Sequence, residues 1–312
     1  MQMATRYLSR FTLLGVLAGA IPLVAQEVAI EGPVETHATV SVEAKQPVRL
    51  DPAQLKVQVN GHDTPLTGLS QINSSSAQIA ILIDDGLRSS FGNQIGDLQK
   101  FVNSLPAGTQ VLVGYMRNGR VDSKGGFSSD HAAVAADIRM PMAAAGISAS
   151  PYFCLSDFAK KWPSQTRGPR FVLMLTNGVD PYNGSTSILN QDSPYVEAAQ
   201  ADAQRAGVAV YAIAYSDAGF RGGRGSFSGQ SYLQQVADAT GGRSFYNGIG
   251  NPVSLSPFLS EFRKAIAESY TATFMTSANH EKANTLARLK ITTSQPQLKL
   301  HAPEAVHPGL AE

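Results

Sequence analysis

The chain has 312 residues, 43% of them hydrophobic and 16% charged, enough apolar material for one large core or two ordinary ones and too much for wholesale disorder. Lys and Arg number 25 against 24 Asp and Glu, a formal charge of +1, which argues against nucleic acid or an anionic membrane held by excess cations. A single cysteine, Cys154, excludes an internal disulfide and a multi-thiolate metal cluster.

Met1 to Arg10 carries Arg6 and Arg10 without an acid and leads into the apolar stretch Phe11 to Val24, broken by Gly15, Gly19 and Pro22. This is the pattern of a signal peptide, residues 1–25, with cleavage after Ala25. The apolar run is shorter than the roughly 20 residues that span a bilayer, and no later stretch is a second candidate. The expectation is an exported protein, periplasmic or secreted, with no membrane span after cleavage.

Within an N-terminal strand region over 26–76, residues 34–60 alternate weakly, as in Thr39 to Glu43 and Leu55 to Val59, with Asn60-Gly61 after them as a hairpin signal. These predict antiparallel strands with one wet face. The passage Leu69 to Gln78, with Asn73-Ser74-Ser75-Ser76, reads as a polar connection to a second regime over 77–269. There Ile79 to Ile83, Phe171 to Leu175 and Val208 to Tyr215 are continuously apolar, which suits strands covered on both faces. Val111 to Met116 adds a strand, and Asn118-Gly119 turns the chain into an antiparallel edge over Val121 to Phe127.

The spacing of Phe91, Ile95, Leu98, Val102 and Leu105 predicts a helix. Further helices are expected over Ser129 to Ile138, Tyr152 to Trp162, Tyr195 to Ala206, Tyr232 to Thr240 and Pro257 to Ser269, with a short strand at Ser244 to Tyr246. The fold class is therefore α/β, a doubly wound, mostly parallel sheet. Alternation returns in residues 270–302, predicting strands at Tyr270 to Thr276, Ala287 to Thr292 and Gln297 to His301 that join the N-terminal ones in a small antiparallel β module, and 303–312 reads as a frayed tail.

In open parallel sheets, ligands bind where loops converge at the carboxyl ends of the strands. Three such loops are informative: Asp84-Asp85-Gly86-Leu87-Arg88-Ser89-Ser90, Gly146-Ile147-Ser148-Ala149-Ser150, and Leu175-Thr176-Asn177-Gly178-Val179-Asp180. Together they resemble a von Willebrand factor type A domain, and with the flanking strands the chain resembles the secreted bacterial VWFA-related family of acidobacterial type over roughly residues 34–302. That resemblance implies a Rossmann-like binding module. Such domains place a divalent cation at this edge through an Asp-x-Ser-x-Ser motif, a Thr and a further Asp, and a partner's carboxylate completes the shell.

In this chain Asp84 matches the first Asp, but Gly86 and Arg88 stand where the two serines belong. Ser148 can replace the Thr, whereas Asn177 stands in the acidic position of the third loop, with Asp180 further on. Magnesium asks for near-octahedral oxygen coordination with anionic help, so the motif reads as degenerate. No cofactor is expected, and any weak magnesium site would use Asp84, Ser148 and Asn177. Arg88 has three readings: a solvated loop residue, an internal partner of Asp84, or the positive charge offered to a partner's carboxylate.

Other chemistry has less support. His37, His62, His131, His280, His301 and His307 show no metal-ligand spacing, and Ser148 lacks the setting of a nucleophile elbow. Gly222-Gly223-Arg224-Gly225 lacks a P-loop ending and reads as a mobile loop, with Phe220, Arg221 and Arg224 as edge residues of a partner surface. Cys154 and Trp162 read as core. The expectation is a non-enzymatic, adhesion-type module binding a protein or cell-surface component through Asp84, Asp85, Arg88, Ser148, Asn177, Arg221 and Arg224. The alternatives are a hydrolase using Asp84, Asp85 or Ser148, and a purely structural envelope component.

Overall fold

The computed structural model describes residues 32–143, 150–180, 193–215, 224–248, 250–277 and 285–310, the side chains of 224–227 excepted. The chain opens with strands β1 (Pro33–Glu43), β2 (Leu55–Val59), β3 (His62–Thr64) and β4 (Leu66–Gln71). There follow β5 (Gln78–Asp84), helix α1 (Ile95–Asn103), β6 (Gln110–Arg117), β7 (Arg120–Ser123), α2 (His131–Ala136), α3 (Pro151–Lys160), β8 (Arg170–Thr176) and α4 (Pro194–Arg205). Next come β9 (Val208–Ala214), α5 (Arg224–Ala239), β10 (Ser244–Phe245) and α6 (Ser256–Ala267), then β11 (Ser269–Ser277), β12 (Ala287–Thr293), β13 (Lys299–His301) and β14 (Ala305–Val306).

The central sheet has the order β10-β9-β8-β5-β6-β7, parallel throughout except for the antiparallel edge β7. Every residue of β5 is buried because its side chains alternate between two cores. Ile79, Ile81 and Ile83 meet Leu98 and Phe101 of α1 and Phe262 of α6 on one face. Ala80 and Leu82 meet Leu155, Val196 and Val236 of α3, α4 and α5 on the other. The helices start where the sequence supplies caps: Ser150 and Ser193 accept from N–H groups of the first turns of α3 and α4, and Pro151 and Pro194 occupy the position whose N–H needs no partner.

The flanking strands form two four-stranded antiparallel sheets, β13-β1-β11-β4 and β14-β12-β2-β3. They share one core, in which Val40, Ala272 and Phe274 of the first meet Val57, Leu289 and Ile291 of the second. Asn60 and Gly61, both at positive φ, turn β2 into β3 as the Asn-Gly signal predicts.

Four expectations need correction. Residues 69–71, read as part of a polar connection, belong to the strand Leu66–Gln71 paired with β11. The wet face expected of β1 is absent over its second half: Thr39 and Ser41 are buried, and the Ser41 hydroxyl donates to the Gly241 carbonyl of the α/β layer at 3.4 Å. The polar alternation of β1 faces the larger domain, not water. The tail is packed through Leu310: Val306 is buried, β14 pairs with β12, and the His37 N–H donates to the Leu310 carbonyl at 3.0 Å. Finally, α5 begins at Arg224, eight residues before the expected start at Tyr232, so Arg224 and Gly225 are helical and not part of a loop.

A charged hub fastens the module to the domain. Glu43 lies 2.8 Å from His301 Nε2, 3.6 Å from Arg243 and 3.9 Å from Lys299. The His301 hydrogen bond, together with the cations, holds the Glu43 carboxyl below its usual range, while burial lowers the His301 imidazole. Both depressed values act in one direction. His301 loses its contribution as the pH drops below the free imidazole's 6.5, where the unfolded chain takes up a proton that the folded chain resists; Glu43 loses its own below the free carboxyl's 4.5. The melting temperature should therefore fall in two stages, one opening below pH 6.5 and the other below pH 4.5. The His301→Gln variant, followed by differential scanning fluorimetry across these pH values, should lose the upper stage.

Candidate functional site

The carboxyl ends of β5, β6 and β8 converge, and Asp84 joins two of their loops. Its Oδ1 accepts the Gly86 N–H at 2.9 Å, and its Oδ2 accepts the Thr176 hydroxyl from the end of β8 at 2.8 Å. Thr176 Oγ1 in turn accepts the Gly178 N–H at 3.2 Å. Gly178, at φ +70°, and Gly229 of α5 lie so close that a Cβ on Gly229 would stand 2.1 Å from the Asn177 carbonyl oxygen. The third loop is thus clamped between β5 and α5. The Tyr152 hydroxyl adds a 2.7 Å bond to the Gly178 carbonyl from α3.

Asp85 is fully buried, and its Oδ1 accepts from Arg139 Nη1 at 2.8 Å and from the Met142 N–H at 3.0 Å. Its Oδ2 is buried without a hydrogen-bond partner among the described residues. Arg139 also lies over the Tyr115 ring, 3.7 Å from the centroid, and its N–H donates to the Tyr115 hydroxyl oxygen at 2.6 Å. The Ala143 N–H bonds the Asp85 carbonyl at 2.9 Å. A buried carboxylate with its own cation therefore pins residues 139–143 across the end of β5.

Arg88 is exposed and precedes a 3-10 turn, Ser89–Gln94, that leads into α1; among the described residues its side chain makes no bond. Internal pairing with Asp84 is not what the geometry has, because the Asp84 oxygens are met by Gly86 and Thr176. Asn177 is half-buried and uses its Oδ1 for the Val179 N–H at 2.9 Å, while Asp180 is buried and accepts the Ser193 hydroxyl at 3.0 Å. Of the expected site residues, Asp84, Asp85, Arg88 and Asn177 thus share one edge. Ser148, Phe220 and Arg221 lie outside the described residues, as does the side chain of Arg224. The segment bearing Ser148 leaves from Ala143 and returns at Ser150, the cap of α3.

Sequence reasoning missed Thr176 as the hydroxyl partner of Asp84, and Arg139 as the partner of Asp85. Cys154 is buried beside this edge, and burial together with the Asp84 charge pushes its thiol up to about 12, a small apolar filler and not a nucleophile. The described histidines stand elsewhere. His131 bonds the Thr109 carbonyl at the opposite edge, His37, His62 and His301 belong to the β module, and His307 follows β14. Among the described residues no group of three or more His, Cys, Asp or Glu is placed to hold a metal ion.

No family model and no curated protein matches the chain. Among solved structures, an aerotolerance-related membrane protein from Bacteroides fragilis is similar at 12% identity and a TM-score of 0.43, over 61% of this chain and 97% of that one. A von Willebrand factor type A protein from Catenulispora acidiphila is similar at 11% identity and a TM-score of 0.43, over 90% and 74%. BatB from Bacteroides thetaiotaomicron is similar at 15% and 0.42, over 61% and 96%. Likenesses this distant add nothing to the architecture read from the strand order itself.

The Asp85–Arg139 pair makes a sharp stability test. Arg139→Met strands a buried carboxylate and should cost about 2 to 3 kcal/mol in urea unfolding, the low end for a broken buried pair because Arg139 is partly exposed. Adding Asp85→Asn should recover part of that loss, giving a clear coupling in the double-mutant cycle.

Proposed function

We propose that this chain is an exported, non-enzymatic protein-binding module of von Willebrand factor A type that holds its partner over the carboxyl edge of the central sheet. One contrast carries the reading. Asp84 and Asp85 are sealed and bonded within the fold, whereas Arg88, four residues beyond Asp84, stands exposed with no side-chain bond among the described residues. A planar guanidinium at a convergence of braced loops is suited to a carboxylate brought by another molecule. In the family that the sequence resembles, a cation presents that charge.

The donor set here suits an ion poorly. Gly86 and Arg88 replace two hydroxyls, the two Asp84 oxygens already accept hydrogen bonds, and the Arg139 guanidinium neutralises Asp85. The module accordingly works without a metal, and Arg88 takes the place of the ion's charge. Export rests on the sequence of residues 1–25.

Two measurements test the reading. A photoreactive phenylalanine analogue at Ser89 should form protein adducts in envelope extract that Arg88→Ala reduces, while the same probe at Gln165, on the opposite edge, should not; adducts at both or neither would sink it. Thermal melting should not move with chelator or with added magnesium, manganese or calcium, and a clear upward shift would expose a working cation site.

A further inference from the structure

Building on the protein-binding reading, we infer that the recognised part of the partner is an acidic polypeptide segment that also carries apolar side chains. It docks on a cationic, methionine-bearing surface around the 89–97 turn. Large exposed apolar side chains among the described residues are few: Val48, Met140, Met142, Tyr246, Val253 and Met275. Three of these six flank that one turn. Met140 lies over Gly92, where a Cβ would stand 2.6 Å from its Sδ. On the other flank the Gln94 amide donates to the carbonyls of Pro252 and Val253 at 3.2 and 3.3 Å.

The Asp97 carboxylate then fixes the next residues, accepting from the Ser254 hydroxyl and from the N–H groups of Leu255 and Ser256. Below the turn, Phe91 packs edge-on against Tyr215, 5.4 Å between centroids. Met142 is 70% and Val253 95% exposed on backbone tied at several points, so these side chains face water on an anchored surface. Methionine adapts its shape to different apolar groups, which suits a surface that grips a segment.

The charge pattern names the rest of the partner's chemistry. Arg88 and Arg117 are exposed, and among the described residues neither enters an ion pair. Arg117 sits one row beyond the Asp84–Met116 pairing, on the same edge. Among the described residues, Asp84, Asp85 and Asp180 are buried, the exposed Asp122 is taken by Arg120 at 3.1 Å, and the half-buried Asp97 spends its carboxylate on Ser254, Leu255 and Ser256. Unopposed arginines beside exposed Met and Val select carboxylates interleaved with apolar residues.

The other basic region, Lys160, Lys161, Arg170 and Arg205 at the amino edge, is different. Asp202 already pairs with Lys160 and Arg205 at 2.8 Å each, and the cations stand at the carbonyl ends of α3 and α4, where they serve the helices. That region supplies the control.

The test is a fluorescence-anisotropy titration of the signal-free chain with three short labelled peptides, one of Glu with Leu and Phe, one with Lys for Glu, and one with Ser for Leu and Phe. Phosphatidylglycerol vesicles are run beside them. The acidic apolar peptide should bind alone, and Arg88→Glu should weaken it about tenfold and flatten its salt dependence. Met142→Ser with Val253→Ser should weaken it several-fold, and Lys161→Glu should leave it unchanged, circular dichroism confirming that each variant is folded. Equal binding of the Lys or Ser peptide, indifference to Arg88→Glu, or binding only to vesicles would overturn the inference. So would silence from every probe. If Ser89 adducts persist in that case, the protein-binding reading stands and only the partner's chemistry falls; if they vanish, both fall.

Discussion

Covering β5 with helices on both faces carries its last residues away from water, and the edge is built around what that does to two carboxylates. A buried carboxylate must be hydrogen-bonded or matched with a cation. Asp84 is met by neutral donors from its own loop and from β8, so meeting its charge also ties the first loop to the third. Asp85 is met by Arg139, which reaches it from the segment after α2 and is itself steadied by Tyr115. Both solutions cross-link loops. The rigidity of the edge therefore follows from the burial of the central strand, and the close approach of Gly178 to Gly229 locks the third loop onto α5 in the same way.

The β module extends this logic to the far side of the chain. Its strand β1 lies between β13 and β11, with one face on the module's own core and the polar side of its second half against the α/β layer. Thr39 and Ser41 are buried there, and Glu43 at the strand's end gathers His301 and Lys299 from β13 and Arg243 from the α/β layer. Because β4 leads into β5 and α6 leads into β11, both connections pass through this junction. The ionic hub thus works as a fastening between two layers, and its dependence on a neutral imidazole and an ionised carboxyl ties it to pH.

Local pattern made most of the architecture legible. Runs such as Ile79 to Ile83 and Phe171 to Leu175 announced strands with two covered faces, and Asn60-Gly61 announced its hairpin. Where the reading failed, the deciding contacts were remote in sequence. Leu66–Gln71 has no strong alternation because β11 supplies its partner from some 200 residues away. The Asp85–Arg139 pair, 54 residues apart, has no spacing signature at all. The glycines around Arg224 point to a loop, yet helix α5 runs through Gly225 and Gly229. At the edge the sequence reading passed over Met140-Pro141-Met142, two large apolar residues around a proline between helices, a pattern that local periodicity assigns to no core.

On the proposed reading a guanidinium stands in for a metal's charge, and that changes what else such a surface needs. An ion bound by several anionic oxygens forms short coordinate bonds to an incoming carboxylate, whereas an exposed arginine forms charge-assisted hydrogen bonds that water and salt oppose. An exposed pair of this kind contributes about 1 kcal/mol or less, too little to hold a partner alone. The remainder has to come from apolar area, and in the proposed docking Met140, Met142 and Val253, exposed around the same turn, offer it. The buried acids matter here as well. Because Asp84 and Asp85 are buried and bonded from within, among the described residues they leave Arg88 and Arg117 unopposed at the surface of a chain whose net charge is only +1.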